Sequence, residues 1–133
     1  MRTGPLLAIA AASALIGNAP PALPERPVMV GGQDDLDACL TVSKVTGLNP
    51  RGDNFLSLRG QPSSKARELM RLRPEQQVWV CEEAPGGWTG VLVAPADGSL
   101  DCGVGTPIAK RQAYSGPCHS GWVASRFLEV IAG

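Results

Sequence analysis

The chain is 133 residues long, which is the usual length of a single domain. Its 12 Lys and Arg residues balance its 12 Asp and Glu residues, so the formal net charge is zero at neutral pH. Nucleic-acid binding without sequence preference depends on a basic surface that neutralises phosphates. The balanced composition therefore excludes a general nucleic-acid binder.

The first 22 residues predict a secretory signal peptide. Arg2 makes the start positive, residues 6–16 form an apolar run broken only by one Ser, and small residues and prolines follow. As a helix, this run of 11 residues would rise about 16 Å, which is too short to span a membrane. A buried N-terminal helix is the alternative, and the lack of an amphipathic face disfavours it. Cleavage after Ala19 or Ala22 would release a periplasmic or secreted product with no stable membrane anchor.

Four cysteines follow in the part that would be exported. An even number of cysteines in a small exported domain predicts disulfide bonds. A zinc site usually presents close pairs of cysteines, whereas the successive gaps here are 42, 21 and 16 residues, so no metal is expected. Four cysteines allow three pairings, and we favour Cys39 with Cys81 and Cys102 with Cys118.

Residues 23–37 are predicted to form a mobile linker. Prolines and glycines surround a short apolar stretch at residues 28–30, and the segment shows no periodic apolar face. Asp34, Asp35 and Asp37 resemble part of a calcium loop, but the remaining ligand spacing is missing. We interpret these three carboxylates as a solvated turn.

From residue 38 onward, short apolar runs alternate with turn residues, which is typical of an all-β domain. The runs predict strands at residues 39–45, 55–58, 78–81, 88–93 and 121–128. Residues 65–72 are rich in helix formers, yet the apolar stripe that a helix needs ends after one turn at Arg73. A turn at residues 63–66 followed by a strand from about 68 to 72 is therefore the better prediction.

Three fragments, in order, carry a resemblance to a known family. DNFLSLRGQPS at residues 53–63 resembles the opening "LNVRSGPS" of bacterial SH3 domains. The segment from VWVC at 78–81 to the Gly-Trp pair at 87–88 is similar to their central hairpin, and GWVASRFL at 121–128 resembles their closing "GWVSARYL".

This resemblance covers residues 38–131 and implies a small, partly open SH3-like barrel of five or six antiparallel strands. It further implies a non-catalytic module of the kind that targets cell-wall components or peptides. In the closing fragment, Trp122 and Val123 must point to opposite sides of a strand. We therefore expect one of them in the core and the other at or near the surface.

The chain departs from the family pattern at residues 94–120, an insertion of 27 residues before the last predicted strand. Loops of that length without structure of their own are uncommon and are usually functional or disordered. Cys102 and Cys118 near the two ends of the insertion favour an ordered lobe. If the protein has a specific partner, this lobe is the first candidate for the contact surface.

A catalytic site is not expected. His119 is the single histidine, and its neighbour Cys118 is predicted to be oxidised and so unable to act as a nucleophile. A triad of His119 with Asp101 and either Ser115 or Ser120 can be drawn, but ordinary loop polarity explains these residues. We predict neither enzymatic activity nor a cofactor.

The candidate binding residues are aromatic side chains and one arginine, namely Trp79, Trp88, Tyr114, Trp122 and Arg59. The aromatic residues either pack in the core or form a shallow groove for an extended ligand. Arg59 begins a basic run that continues through Arg73, which is either a solvated face or a site for an anionic ligand.

Two functions follow as hypotheses. The first is an exported binding module that recognises a cell-wall peptide or glycan, or an exported protein. The second is an inhibitor of an extracellular or periplasmic hydrolase that acts through the lobe at residues 94–120.

Overall fold

The structure is a computed structural model that describes residues 4–5 and 23–133. Apart from residues 4–5, the predicted signal peptide at residues 1–22 lies outside the described part. The strands are β1 (Met29–Val30), β2 (Thr41–Val45), β3 (Leu56–Arg59), β4 (Glu68–Leu72), β5 (Gln77–Ala84), β6 (Trp88–Val93), β7 (Gln112–Ala113), β8 (His119–Ala124) and β9 (Leu128–Ala132). One turn of 3-10 helix, Ser125–Phe127, separates β8 from β9.

The fold is all-β, as predicted. Seven strands form an antiparallel sheet in the order β4-β3-β8-β6-β5-β2-β9, and β1 pairs with β7 in a second, two-stranded sheet. The main sheet is open, because its edge strands β4 and β9 each pair with a single neighbour. The expected number of five or six strands is therefore wrong for this sheet.

The extra strand arises where one strand was predicted at residues 121–128. The 3-10 turn interrupts that stretch, and the chain then pairs with β2 as β9. A backbone hydrogen bond of 2.9 Å from Thr46 N to Phe127 O fixes the change of direction. The predicted insertion at residues 94–120 therefore lies before β8, and β8 is followed by one more strand. The final two residues of the insertion, 119 and 120, already belong to β8.

The ambiguous segment at residues 65–72 is a strand. Ala66 N donates to Ser63 O at 3.1 Å in the preceding turn, and β4 then pairs with β3. Leu72 lies opposite Leu56 in this pairing, so both leucines reach the core. The prediction of a turn followed by a strand at residues 68–72 is confirmed, because pairing with β3 gives the apolar residues a partner that an isolated helix would lack.

One face of the sheet, the inner face, packs around a continuous apolar cluster. Its buried members are Val45, Leu56, Leu58, Leu72, Val78, Val91, Val93 and Val123. Gly121 permits the close approach of β8 to β3, since a Cβ at this position would lie 2.8 Å from both Arg59 O and Leu58 Cγ. A side chain here would push these two strands apart.

The opposite, outer face is also covered, which corrects the expectation for the closing fragment. Trp122 and Val123 point to opposite faces, yet both are fully buried. Trp122 packs with Val28 and Ala84 in a separate small cluster. The prediction of one surface residue failed because a distant segment of the chain crosses the outer face.

That segment, residues 24–30, is here named the N-terminal strap, and it belongs to the predicted linker. Val28 and Val30 are 1% and 3% exposed, and β1 within the strap pairs with β7. Arg26 N donates to Gly60 O at 2.8 Å, and Arg26 O accepts the indole N–H of Trp122 at 2.9 Å. The prediction of a linker without a core face is wrong. Asp34, Asp35 and Asp37 are exposed, the first two of them in a bend, as expected for a solvated turn.

Two disulfide bonds connect the predicted partners, Cys39 with Cys81 and Cys102 with Cys118. Because residues 119–120 belong to β8, the name lobe is kept below for residues 94–118, which form a second layer over the outer face. Ala38 N donates to Thr106 O and Cys39 N to Val104 O, at 3.0 and 3.2 Å. Val104 and Leu92 are fully buried between the lobe and the sheet, so the lobe is ordered by packing as well as by its disulfide.

Within the part of the chain that the structure describes, we find no helix that is long and apolar enough to cross a membrane.

Candidate binding groove

The five candidate binding residues lie in three different environments. The apolar cluster between the lobe and the sheet, which includes Leu92 and Val104, is here named the lobe cluster. Trp79 packs against it beside Gly105, and Tyr114 packs against the same cluster. The Tyr114 hydroxyl donates to Cys102 O at 2.9 Å and accepts from Cys118 N at 3.2 Å, so it bridges the two ends of the disulfide loop. Both aromatic residues therefore stabilise the lobe.

Trp122 is not available to a ligand. Its side chain is fully buried, and its indole N–H is already bound by the carbonyl of Arg26. Trp79 and Trp88 also lie apart, because Trp79 pairs with Leu92 near the lobe and Trp88 pairs with Ala84 at the other end of the hairpin. The aromatic groove predicted around several tryptophans is thus not present in that form.

Trp88 and Arg59, however, line a common groove with a volume of about 340 Å³. This volume is within the range of ligand pockets. Phe55, Trp88 and Phe127 contribute three aromatic rings to it, and two arginines, Arg59 and Arg126, contribute the basic groups. The remaining lining residues are Asp53, Leu56, Ser57, Ser64 and Ala124.

The groove lies at the end of the outer face that is opposite the lobe. Residues directly across from each other on neighbouring strands share a face of the sheet. Leu92 pairs with Ser120 near the lobe, Gly90 pairs with Trp122 beneath the strap, and Trp88 pairs with Ala124 at the groove. The lobe thus covers the pair of Leu92 and Ser120, and the strap covers the pair of Gly90 and Trp122. The groove lies beside the remaining pair, Trp88 and Ala124.

A tight turn and the 3-10 helix hold the groove wall in place. Gly86 and Gly87 adopt φ values of 88° and 82°, which glycine reaches without steric cost, and they reverse the chain just before Trp88. Gly87 O accepts Ser125 N at 2.8 Å, and the hydroxyls of Thr89 and Ser125 lie 2.7 Å apart. These bonds tie Trp88 to the helix that carries Arg126 and Phe127.

The arginines around the groove are oriented by neighbouring groups. Arg59 donates from Nη1 to Ala66 O at 2.9 Å, and the Arg126 guanidinium lies 4.6 Å from the centroid of the Phe127 ring. Arg71 stacks 4.0 Å from the centroid of the Phe55 ring. Contacts of this kind between a guanidinium and an aromatic face are attractive and restrict the arginine side chain.

Glu68 lies on the neighbouring strand and interacts with this surface. Its carboxylate accepts a hydrogen bond from Ser57 Oγ at 2.5 Å and pairs with Arg71 Nε at 2.7 Å. The hydrogen bond from Ser57 and the hydrogen bond from Arg71 lower the pKa of Glu68 below its usual range. Glu68 therefore stays ionised and neutralises Arg71 at the rim of the groove.

Sequence reasoning did not identify Phe55, Phe127 and Arg126 as binding residues. Phe55 precedes β3, and Arg126 and Phe127 belong to the closing fragment, which was predicted to be one continuous strand. The 3-10 turn, which no local pattern signalled, brings the last two to the groove.

The residues considered for catalysis do not form a triad. Among the hydrogen bonds of the described residues, none joins His119 to Asp101, Ser115 or Ser120. Asp101 instead accepts the backbone N–H of Gly103 at 2.8 Å in a turn of the lobe. In residues 4–5 and 23–133 we also find no group of three or more His, Cys, Asp or Glu side chains that could hold a metal ion.

Comparison with known proteins found no match to this chain among protein-family models, curated proteins or solved structures. Functional inference therefore depends on the groove and its chemistry.

Proposed function

We propose that the protein is an exported, non-catalytic binding module of the bacterial SH3-like type, and that the groove beside Trp88 binds an extended segment of cell-wall material or of an exported protein. The observation that carries this proposal is the cluster of Phe55, Trp88 and Phe127 around Arg59 and Arg126. Binding sites for extended ligands commonly combine aromatic surfaces with a few fixed polar groups.

The SH3-like assignment is supported by the three ordered sequence fragments and by the antiparallel pairing of the strands that contain them. The opening fragment forms β3, the central fragment forms the β5–β6 hairpin, and the closing fragment forms β8 and the 3-10 turn. All three fragments contribute to the groove, since β3, β6 and β8 provide its lining. Because the three fragments that carry the resemblance all line one groove, the resemblance favours a binding role like that of bacterial SH3 domains and not only a similar core.

Export is supported by the two disulfide bonds, which are consistent with an oxidising compartment outside the cytoplasm. None of the cysteines among the described residues is a free thiol, whereas a cytoplasmic protein normally keeps its cysteines reduced. The proposed location is therefore the periplasm or the extracellular space.

The groove is favoured over the lobe as the contact surface. A hydrolase inhibitor that works by plugging a cleft needs a projecting loop, whereas this lobe packs against the sheet through Val104, Cys102 and Cys118. Tyr114 is also used internally, since its hydroxyl bridges the two cysteine backbones. Inhibition of a hydrolase remains the alternative hypothesis, and it predicts capture of a soluble enzyme.

A sedimentation assay with purified peptidoglycan sacculi tests the proposal. We expect the wild-type protein to co-sediment and the Phe55→Ala variant to lose most of this retention, because an aromatic wall of the groove is removed. The matched control is Tyr114→Phe, which alters an aromatic residue outside the groove and should keep full retention. Thermal unfolding of each variant verifies the fold.

If the wild-type protein stays in the supernatant with sacculi but co-purifies with a soluble hydrolase, the inhibitor hypothesis replaces this proposal. Equal retention of Phe55→Ala and wild type would show that the contact surface lies elsewhere on the protein.

A further inference from the structure

We propose that the ligand of the groove is an extended peptide that carries a carboxylate, and that Arg59 and Arg126 bind this carboxylate together. The inference rests on the proposed function and names the chemical class that the groove selects. It follows from the charge, the ion pairs and the lining of the groove.

Charge is distributed unevenly along the balanced chain. Residues 51–73, which contain β3 and β4, carry six basic and two acidic side chains, although the whole chain has zero formal net charge. The remainder of the chain is correspondingly acidic. A surface of one sign attracts ligands of the opposite sign and accelerates their association. The hairpin that forms one side of the groove therefore favours an anionic ligand.

Two of the six basic side chains of residues 51–73 have an acidic partner. Arg67 pairs with Glu25, and Arg71 pairs with Glu68. Arg59 and Arg126 differ, because no ion pair to either of them exists among the described residues. Two guanidinium groups with no carboxylate at ion-pair distance thus line the same groove, and only Arg59 interacts at longer range with the charge of Glu68.

These two arginines are held in position before a ligand arrives. Arg59 is half-buried and anchored through Nη1 to Ala66 O, and Arg126 is placed over the ring of Phe127. Restricting a side chain in its binding conformation lowers the entropic cost of binding. A guanidinium also offers donors in a planar arrangement that matches the two oxygens of a carboxylate.

The charge of the groove fits a carboxylate better than a phosphate monoester. Two arginines and Asp53 line it, which gives a net charge of about +1 from these three side chains. One carboxylate balances this charge, whereas a phosphate monoester with about two negative charges would exceed it and would face Asp53. The aromatic rings of Phe55 and Trp88 supply the apolar contacts that the rest of an extended peptide requires.

The test compares sacculi with intact carboxylates to sacculi whose carboxylates have been converted to methylamides with a carbodiimide. A third preparation is treated with hydrofluoric acid to remove phosphate-bearing polymers and keeps its carboxylates. We expect amidation to lower retention of the wild-type protein at least about tenfold, because charge-assisted hydrogen bonds are lost. Acid treatment should leave retention unchanged.

Arg126→Gln should bind intact sacculi as weakly as the wild type binds amidated sacculi, and amidation should lower its retention little further. Arg73→Gln is the matched control, since Arg73 is an exposed arginine of the same basic run that lies outside the groove. Arg59→Gln provides a second variant of the groove, and unfolding curves identify any loss of fold.

Equal retention on intact and amidated sacculi would overturn the carboxylate assignment and leave the groove proposal standing. Loss of retention after acid treatment alone would assign the ligand to a phosphate polymer and also overturn the inference. No retention on any preparation would overturn both this inference and the proposed cell-wall ligand.

Discussion

The indole N–H of Trp122 donates a hydrogen bond of 2.9 Å to the backbone carbonyl of Arg26, 96 residues away along the chain. The guanidinium of the same arginine lies 4.8 Å from the centroid of the Trp122 ring. One residue of the strap thus satisfies the only polar atom of the largest fully buried side chain and also covers its aromatic surface. The strap is therefore an integral part of the domain.

Deletion of residues 23–30 should destabilise the domain strongly. Val28 and Val30 lose their burial, and full burial of each such side chain contributes about 1.5–3 kcal/mol. We expect the free energy of unfolding, measured with urea, to fall by roughly 3–6 kcal/mol. Replacement of the exposed Leu23 by Ala is the control and should change stability by less than about 0.5 kcal/mol. A deletion variant with wild-type stability would show that the strap does not stabilise the fold.

Glu82 should be the main polar link between the strap, the lobe and the sheet. Its carboxylate is 10% exposed, accepts the backbone N–H of Met29 at 2.9 Å, and pairs with Arg26 and Arg111 at 3.3 and 3.2 Å. Glu82→Gln should lower the free energy of unfolding by about 1–3 kcal/mol, because it removes the charge that both arginines share.

The control for this variant is Glu129→Gln, an exposed glutamate on β9. It should leave the urea midpoint nearly unchanged. Hydrogen exchange adds a local measurement, since the amide of Met29 should exchange faster in Glu82→Gln than in the wild type. Equal protection of this amide in the two proteins would contradict the proposed link.

Replacement of Cys102 and Cys118 by Ser should destabilise more than the lobe alone. The chain-entropy estimate for a loop closed across 16 residues is about 3 kcal/mol. Both sulfur atoms belong to residues that are buried in the lobe cluster, so the loss of packing adds to this cost. We expect protection from hydrogen exchange to fall in β1 as well as in β7, because these strands pair across the strap and the lobe. Loss of protection confined to the lobe would show that the two layers unfold independently.

The carboxylate of Glu68 should make a pH-dependent contribution to stability. Its pKa is lowered in the folded protein, first by the hydrogen bond from Ser57 and then by Arg71. The contribution is present above the unfolded-state pKa of about 4.3 and is lost as the pH falls through the lower, folded-state pKa. Wild-type stability should therefore decline more steeply than that of Glu68→Gln below about pH 4.3.

A direct measurement of this shift uses the side-chain carboxyl resonance of Glu68 in an NMR titration. Ser57→Ala should raise the pKa of Glu68 towards its usual range, because the largest stabilising contact of the ionised form is removed. An unchanged midpoint in Ser57→Ala would exclude Ser57 as the cause.

Most of the strand positions could be predicted from local sequence. The runs at residues 39–45, 55–58, 78–81 and 88–93 correspond to β2, β3, β5 and β6, since alternating apolar residues between turns are a local signal. The formation of disulfide bonds also followed from the sequence, because the number and spacing of the four cysteines disfavoured a metal site, and the favoured one of the three possible pairings is confirmed. The signal peptide and the ligand remain predictions.

Only the tertiary structure decided what covers the outer face of the sheet and what remains open on it. Val28 and Val30 are too few to create a periodic pattern, and their burial depends on contacts with Trp122 and the lobe, which lie far along the chain. Phe55, Trp88 and Phe127 likewise come from three separate segments. They meet because β3, β8 and β6 are consecutive neighbours in the sheet, and such long-range pairing leaves no trace in the spacing of residues along the sequence.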